Sequence, residues 1–242
     1  MKLLIIRHGD PDYSIDSLTP AGWKEAALLA DRISRLDVKA FYVSPLGRAK
    51  DTASLTLQRM GRTAEEKSWL REFPTAIQKP NNTAPSICWD WLPQDWTAEP
   101  RFYDREQWLE VPVFRDSDAP EIYRNVCDGL DTLLAQHGYT RQGSLYLAEQ
   151  PNEDTIVFFC HFGLECVLLS HLLGVSPMVL WHGTCAAPTS VTTLTTEERR
   201  EGIAYFRMSA FGDISHLYAG NQEPAFAARF CEMYQNADQR HD

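Results

Sequence analysis

Long apolar runs are missing from this 242-residue chain. None approaches the roughly 20 residues that a membrane-spanning helix needs, so no membrane partner is expected. A basic-then-apolar leader is also missing, because Met1-Lys2 runs straight into an apolar segment. The expected location is therefore cytoplasmic. Cysteine is sparse and scattered: Cys88, Cys127, Cys160, Cys166, Cys185 and Cys231 form no C-x-x-C pair. That leaves reduced, mostly buried thiols as the expectation. His161, His171 and His182 lack carboxylates at ligand spacing, so neither a metal site nor a cofactor is expected. Positive charge is in deficit, with 23 Lys and Arg against 33 Asp and Glu, a formal charge of −10. A nucleic-acid binder normally shows a basic face, so that class is set aside. An anionic ligand meets a repulsive average field, and local arginines have to capture it. Internal repeats and low-complexity tracts are absent.

What is present begins at once. Lys2-Leu3-Leu4-Ile5-Ile6 reads as a buried strand. It ends in Arg7-His8-Gly9, which delivers a guanidinium and an imidazole to the edge where open α/β sheets bind ligands. Arginine's planar fork matches phosphate oxygens, and histidine can act as a nucleophile. Thr19-Pro20 then reads as a helix start, with Thr19 as cap, and the helix runs to about Leu36 on a stripe of Trp23, Ala26, Ala27, Ala30 and Ile33. Ala40-Phe41-Tyr42-Val43 is a second strand. Ser44-Pro45 repeats the cap-and-proline pattern before a helix to about Arg59. Strand, helix, strand, helix predicts an α/β fold with a central, mostly parallel sheet flanked by helices on both faces.

The stretch 74–120 differs in kind. It holds half of the fourteen prolines and four of the seven tryptophans, Trp89, Trp91, Trp96 and Trp108. It reads as an insertion packed over the active-site edge of a single domain spanning 1–242, with its tryptophans either packing it down or facing substrate. A helix is expected from Pro120 to about Gln136. Thr155–Cys160 is the clearest buried strand, ending in His161-Phe162-Gly163, with an apolar helix from about Leu164 to Leu173. Late strands are expected at 189–195 and 202–211, joined by a charged turn at 197–200. A helix is expected at 223–235, and Arg240-His241-Asp242 reads as a frayed tail.

Four features converge: Arg7-His8-Gly9; Ser44-Pro45-Leu46-Gly47-Arg48-Ala49-Lys50-Asp51-Thr52-Ala53, with Arg48 in a first helical turn; Glu72; and His161 at the end of the central strand. Together these motifs, in this order, resemble the histidine phosphatase superfamily, whose best-known branch is the phosphoglycerate mutases. The resemblance covers 1–73 and 120–218. It implies that His8 is the phosphoacceptor nucleophile, that Arg7, Arg48 and His161 bind phosphate, and that Glu72 is the proton donor. A protonated His161 would add positive charge, and the other nitrogen of His8 should donate to a carbonyl, with that of Gly9 a candidate. Glu72 needs a raised pKa to hold its proton.

The chain also departs from the family. Cys160 and Phe162 flank His161, and Phe162 is expected to lean over the phosphate pocket. The loop Asp10-Pro11-Asp12-Tyr13-Ser14 lacks the usual asparagine, so Ser14 or Tyr13 is expected to replace its contact. The leading expectation is a metal-independent phosphomonoesterase acting on a small organic phosphate. A phosphoglycerate mutase and a non-catalytic phospho-ligand binding module are the alternatives. Cysteine phosphatase chemistry is excluded, because Cys166 stands where an arginine six residues after Cys160 would be required.

Overall fold

The computed structural model describes residues 1–241 except 81 and 228. Its frame is an eight-stranded sheet in the order Glu65–Glu66, Ala40–Val43, Thr155–Cys160, Lys2–Arg7, Val191–Arg200, Ile203–Asp213, Leu145–Ala148, Tyr139–Gln142. The first four strands pair in parallel, which is the expected core. From Lys2–Arg7 onward the sheet continues antiparallel.

The core strands are apolar on both faces because both faces are covered. Alternate residues go to opposite sides. Leu4, Ile6, Val157, Phe159, Phe41 and Val43 join Leu29, Ile33 and Ala53 of two helices, Pro20–Ile33 and Gly47–Met60. Leu3, Ile5, Ile156, Phe158 and Tyr42 join the larger cluster, which includes the Ala119–Gln136 and Phe162–Leu173 helices and the insertion.

Thr19 caps its helix as expected, accepting from Gly22 N–H at 3.0 Å. That helix ends at Ile33, short of Leu36, and Trp23 faces outward from the apolar stripe. Ser44 does not cap the next helix, which starts at Gly47 after Leu46; its hydroxyl is used inside the site. The late strands run on through the charged residues 197–200, and the turn falls at Glu201-Gly202. No helix forms among the described residues of 223–235. Instead this segment folds back in turns. Arg240 pairs with Asp90, and the His241 ring bonds the Asn236 carbonyl, so these two are not frayed. Asp242 lies outside the described residues.

Within 74–120, Ala76–Ile77 pairs with Ser86–Ile87, and short helical turns follow at Pro93–Trp96, Pro100–Tyr103, Trp108–Glu110 and Pro112–Arg115. Three of these turns begin at a proline, where the fixed φ suits a helix start and the missing N–H costs nothing. Trp108 is wholly internal, against Phe114, Tyr123 and Trp181. Trp91 and Trp96 border a cavity. The tryptophans therefore divide between packing and lining.

Candidate active site

Adjacent parallel strands end side by side, so their last residues are neighbours. Arg7 is in register with Cys160, and the His8 N–H donates to the Cys160 carbonyl at 3.0 Å. This places the His8 and His161 rings 5.1 Å apart between centroids. His8 is buried, and its Nδ1 donates to the Gly9 carbonyl at 2.8 Å, the carbonyl expected from sequence. The bond fixes the tautomer and leaves the Nε2 lone pair free. Burial, followed by the Arg7 charge, holds the His8 pKa well below the ordinary histidine value, so the ring is neutral near pH 7.

His161 is fully buried, with Nε2 2.7 Å from Ser44 Oγ. That hydroxyl also accepts from the Leu46 N–H, which ties the His161 ring to the start of the Gly47–Met60 helix. Nδ1 has no partner. Burial and the neighbouring His8, Arg48 and Arg7 push the His161 pKa well down. Burial and these cationic neighbours favour a neutral His161, not the protonated ring expected from sequence.

Arg7 donates from Nη1 to the Ala186 carbonyl, and its guanidinium lies 5.8 Å from the centre of the Phe162 ring. Phe162 thus packs its ring against Arg7. Arg48 sits at the start of the Gly47–Met60 helix, under the Tyr13 ring at 5.4 Å. The nitrogens Arg7 Nε and Arg48 Nε are buried without a partner, like His161 Nδ1. Ser14 is not brought in: its N–H and hydroxyl both go to Asp12.

Glu72 is held at the opposite wall. Its Oε1 accepts from the N–H groups of Phe73 and Leu164, each at 2.9 Å, and Oε2 faces the Gly163 N–H at 3.4 Å. The carboxyl therefore sits on the N-terminal end of the Phe162–Leu173 helix. Burial raises its pKa above the ordinary carboxylate value, and the two N–H bonds and the arginines only partly offset that rise. Gly163 is required here: a Cβ would lie 2.6 Å from the Trp89 ring and 2.8 Å from Glu72 Oε1.

Sequence reasoning missed several supporting groups. Thr52, part of the quoted motif, accepts the Gly9 N–H at 2.9 Å and so fixes the loop that follows His8. Glu25 is buried and accepts the Asp10 N–H at 2.9 Å. Its signal was an acid on the apolar stripe of the first helix. Glu165 is buried with Thr192 and Arg7 nearby; burial outweighs both and pushes its pKa up to about 7.

Residues 3–208 match the sequence profile of the histidine phosphatase superfamily (branch 1). The chain belongs to that superfamily. Solved structures of this fold include "Mycobacterial hydrolase 1", at 18% identity and TM-score 0.58, covering 88% of this chain and 98% of that one. A mutant phosphoserine phosphatase from Entamoeba histolytica in complex with phosphoserine matches at 19% identity and TM-score 0.56, covering 89% and 98%. The mycobacterial glucosyl-3-phosphoglycerate phosphatase complexed with VO3 matches at 19% and 0.57, covering 87% and 98%. A search of curated proteins returns no significant match. Arg7, His8 and His161 lie at the C-terminal edge of two adjacent parallel strands of this chain. No helix among the described residues is long and apolar enough to cross a membrane.

Proposed function

We propose that this histidine phosphatase superfamily member is a metal-independent phosphomonoesterase working through a phosphohistidine at His8. The observation that carries the reading is that Arg7, Arg48 and His161, each with a buried nitrogen lacking a partner, all lie close enough to the neutral His8 imidazole to act on its charge or contact its ring. Buried donors are nearly always satisfied, so the two unpartnered arginine nitrogens beside His8 support an anionic ligand there. A phosphoryl group in transfer spreads negative charge over its equatorial oxygens, and fixed donors stabilise it there.

In the first step the Nε2 lone pair of His8 bonds to phosphorus. The ester P–O bond breaks, its electron pair leaves with the alkoxide oxygen, and Glu72 gives that oxygen its proton. In the second step water attacks phosphorus and loses a proton to the Glu72 carboxylate. The P–N bond breaks and returns its pair to Nε2.

A cavity that meets the Arg7 side of the site through Phe162 is the candidate seat for the organic half of the substrate. This cavity, of about 840 Å³, is bordered by Phe162, Trp91, Trp96, Trp181 and, from the C-terminal segment, Arg229 and Phe230. That size lies within the usual range for organic ligands, roughly 300–1,000 Å³, and its aromatic wall suits a substrate with an apolar body. The similar structures named for phosphoserine and glucosyl-3-phosphoglycerate act on organic phosphomonoesters, which supports the same substrate class here.

Rapid quenching during turnover of an aryl phosphate should trap an acid-labile, base-stable phosphate adduct on wild type and none on His8→Ala, which should lose essentially all turnover. Full activity of His8→Ala would overturn the mechanism. Efficient interconversion of 2- and 3-phosphoglycerate with little phosphate release would favour a mutase instead.

A further inference from the structure

The mouth of the pocket holds a carboxylate that the mechanism above does not use. A short hairpin, Pro11–Asp12 paired with Ser17–Leu18, presents Asp16 at its turn with φ of 49°, a left-handed conformation that aspartate tolerates. Asp16 Oδ1 accepts from Arg48 Nη1 at 2.6 Å, and Oδ2 accepts from the Gly47 N–H at 2.7 Å. One carboxylate thus occupies both anion-attracting features of this wall: the guanidinium and the first amide of a 14-residue helix. The contact is built from both sides. Gly47 has no side chain where a Cβ would run into the Asp16 carbonyl, and Ser17 Oγ donates to Asp51 Oδ2 at 2.5 Å, tying the hairpin to the same helix. Arg48 Nε, on another edge of the guanidinium, stays unclaimed. The Asp16 side chain is 43% exposed, so it can swing away without unpacking the core.

We propose that Asp16 is a specificity-determining residue, an internal anion that competes with the substrate's phosphoryl group for Arg48. The proposal rests on Arg48 being a phosphate ligand. A phosphomonoester dianion brings more charge and more oxygens than a carboxylate, so it wins the exchange. A monoanionic ester, such as a phosphodiester, does not. The same competition loosens inorganic phosphate after hydrolysis and so limits product inhibition.

The test is inorganic phosphate binding to the full chain, measured by calorimetry at constant pH, with kcat and KM for an aryl phosphate alongside. Asp16→Asn should bind phosphate tighter by roughly five- to tenfold, the range expected for removing one charge-assisted competitor. KM should fall by a similar factor, while kcat does not rise. Gly47→Ala keeps every charge but pushes the Asp16 carbonyl off the helix, and should shift phosphate binding the same way. Unchanged or weaker phosphate binding in Asp16→Asn would overturn the proposal and make Asp16 a support for Arg48. Arg48→Ala separates the two failures. Loss of phosphate binding there, with no gain in Asp16→Asn, refutes the competition alone. Wild type that binds no phosphate refutes the reading of the pocket and this proposal with it.

Discussion

A carboxyl group that must carry a proton is usually kept away from backbone N–H donors, which favour its charged form, yet Glu72 accepts two of them. Burial is the larger influence and its pKa is raised. The two bonds do a second thing: they fix where the acid points. Glu72→Gln keeps an oxygen for both N–H groups and removes only the proton. Turnover of alkyl phosphates should fall by roughly 100-fold or more, and of aryl phosphates with acidic leaving groups much less. The protonated acid is lost as pH rises through its raised pKa, so the wild-type alkyl-phosphate profile should have an alkaline limb that the variant lacks. Equal losses on both substrate types, or an unchanged limb, would assign Glu72 a purely structural part. Glu72 was legible in the sequence because it ends a short apolar segment in the expected order. Its anchor was not, since Leu164 lies 92 residues further on. Asp16 was invisible for a related reason: a charged loop residue reads as solvated until a helix start is packed beneath it.

At the scale of elements, the Phe162–Leu173 helix is buried almost all round, from Gly163 through Ser170, and Glu165 is carried inside with it. The Glu165 pKa, about 7, lies above the unfolded value of about 4.5, so the folded state prefers the protonated form. Between those pH values the folded chain binds more protons than the unfolded one, and the stability from this group is lost as pH rises. The loss is on the order of 3–4 kcal/mol once pH exceeds 7, taking each pKa unit as about 1.4 kcal/mol. Glu165→Gln should therefore gain on wild type between pH 5 and 8 in urea-unfolding midpoints. Parallel curves for the two proteins would refute it. The buried histidines tilt stability the opposite way below their ordinary pKa, so only the difference between the two proteins isolates Glu165. The parallel half of the sheet was readable because Leu3–Ile6 and Ile156–Phe159 are apolar without interruption. The Tyr139–Gln142 and Leu145–Ala148 hairpin was not, because polar residues such as Thr140, Arg141 and Gln142 mask its alternation. The 223–235 segment misled in reverse: it has helix-forming residues, but pairing with the insertion and the body decided its path.

For the molecule as a whole, an acidic chain gathers Arg7 and Arg48 at one pocket and lays an aromatic insertion beside it. Two tryptophans of that insertion should behave differently. Trp96 borders the cavity and stacks on His182 at 5.1 Å between centroids. Trp96→Ala should raise KM for an aryl phosphate about tenfold, the scale of one lost aromatic contact, and leave glycerol phosphate nearly unchanged. Trp108 is fully buried. Trp108→Ala should instead cost roughly 3–5 kcal/mol of stability, read by chemical unfolding, with substrate preference kept in the folded fraction. If both variants shift preference equally, the cavity is not the seat of the organic half.

The Glu72 clamp has a consequence for how such an enzyme diversifies. The chain leaves the catalytic pocket immediately after Glu72 to build the insertion, so a remodelled insertion ought to drag the acid with it. Because that carboxyl is pinned to the Leu164 amide on the body, its position is set by the body as well as by the chain that runs on into the insertion. Loops of other lengths and compositions could be spliced in after Phe73, and selection could try new substrates while the Glu72 carboxyl stays where it is.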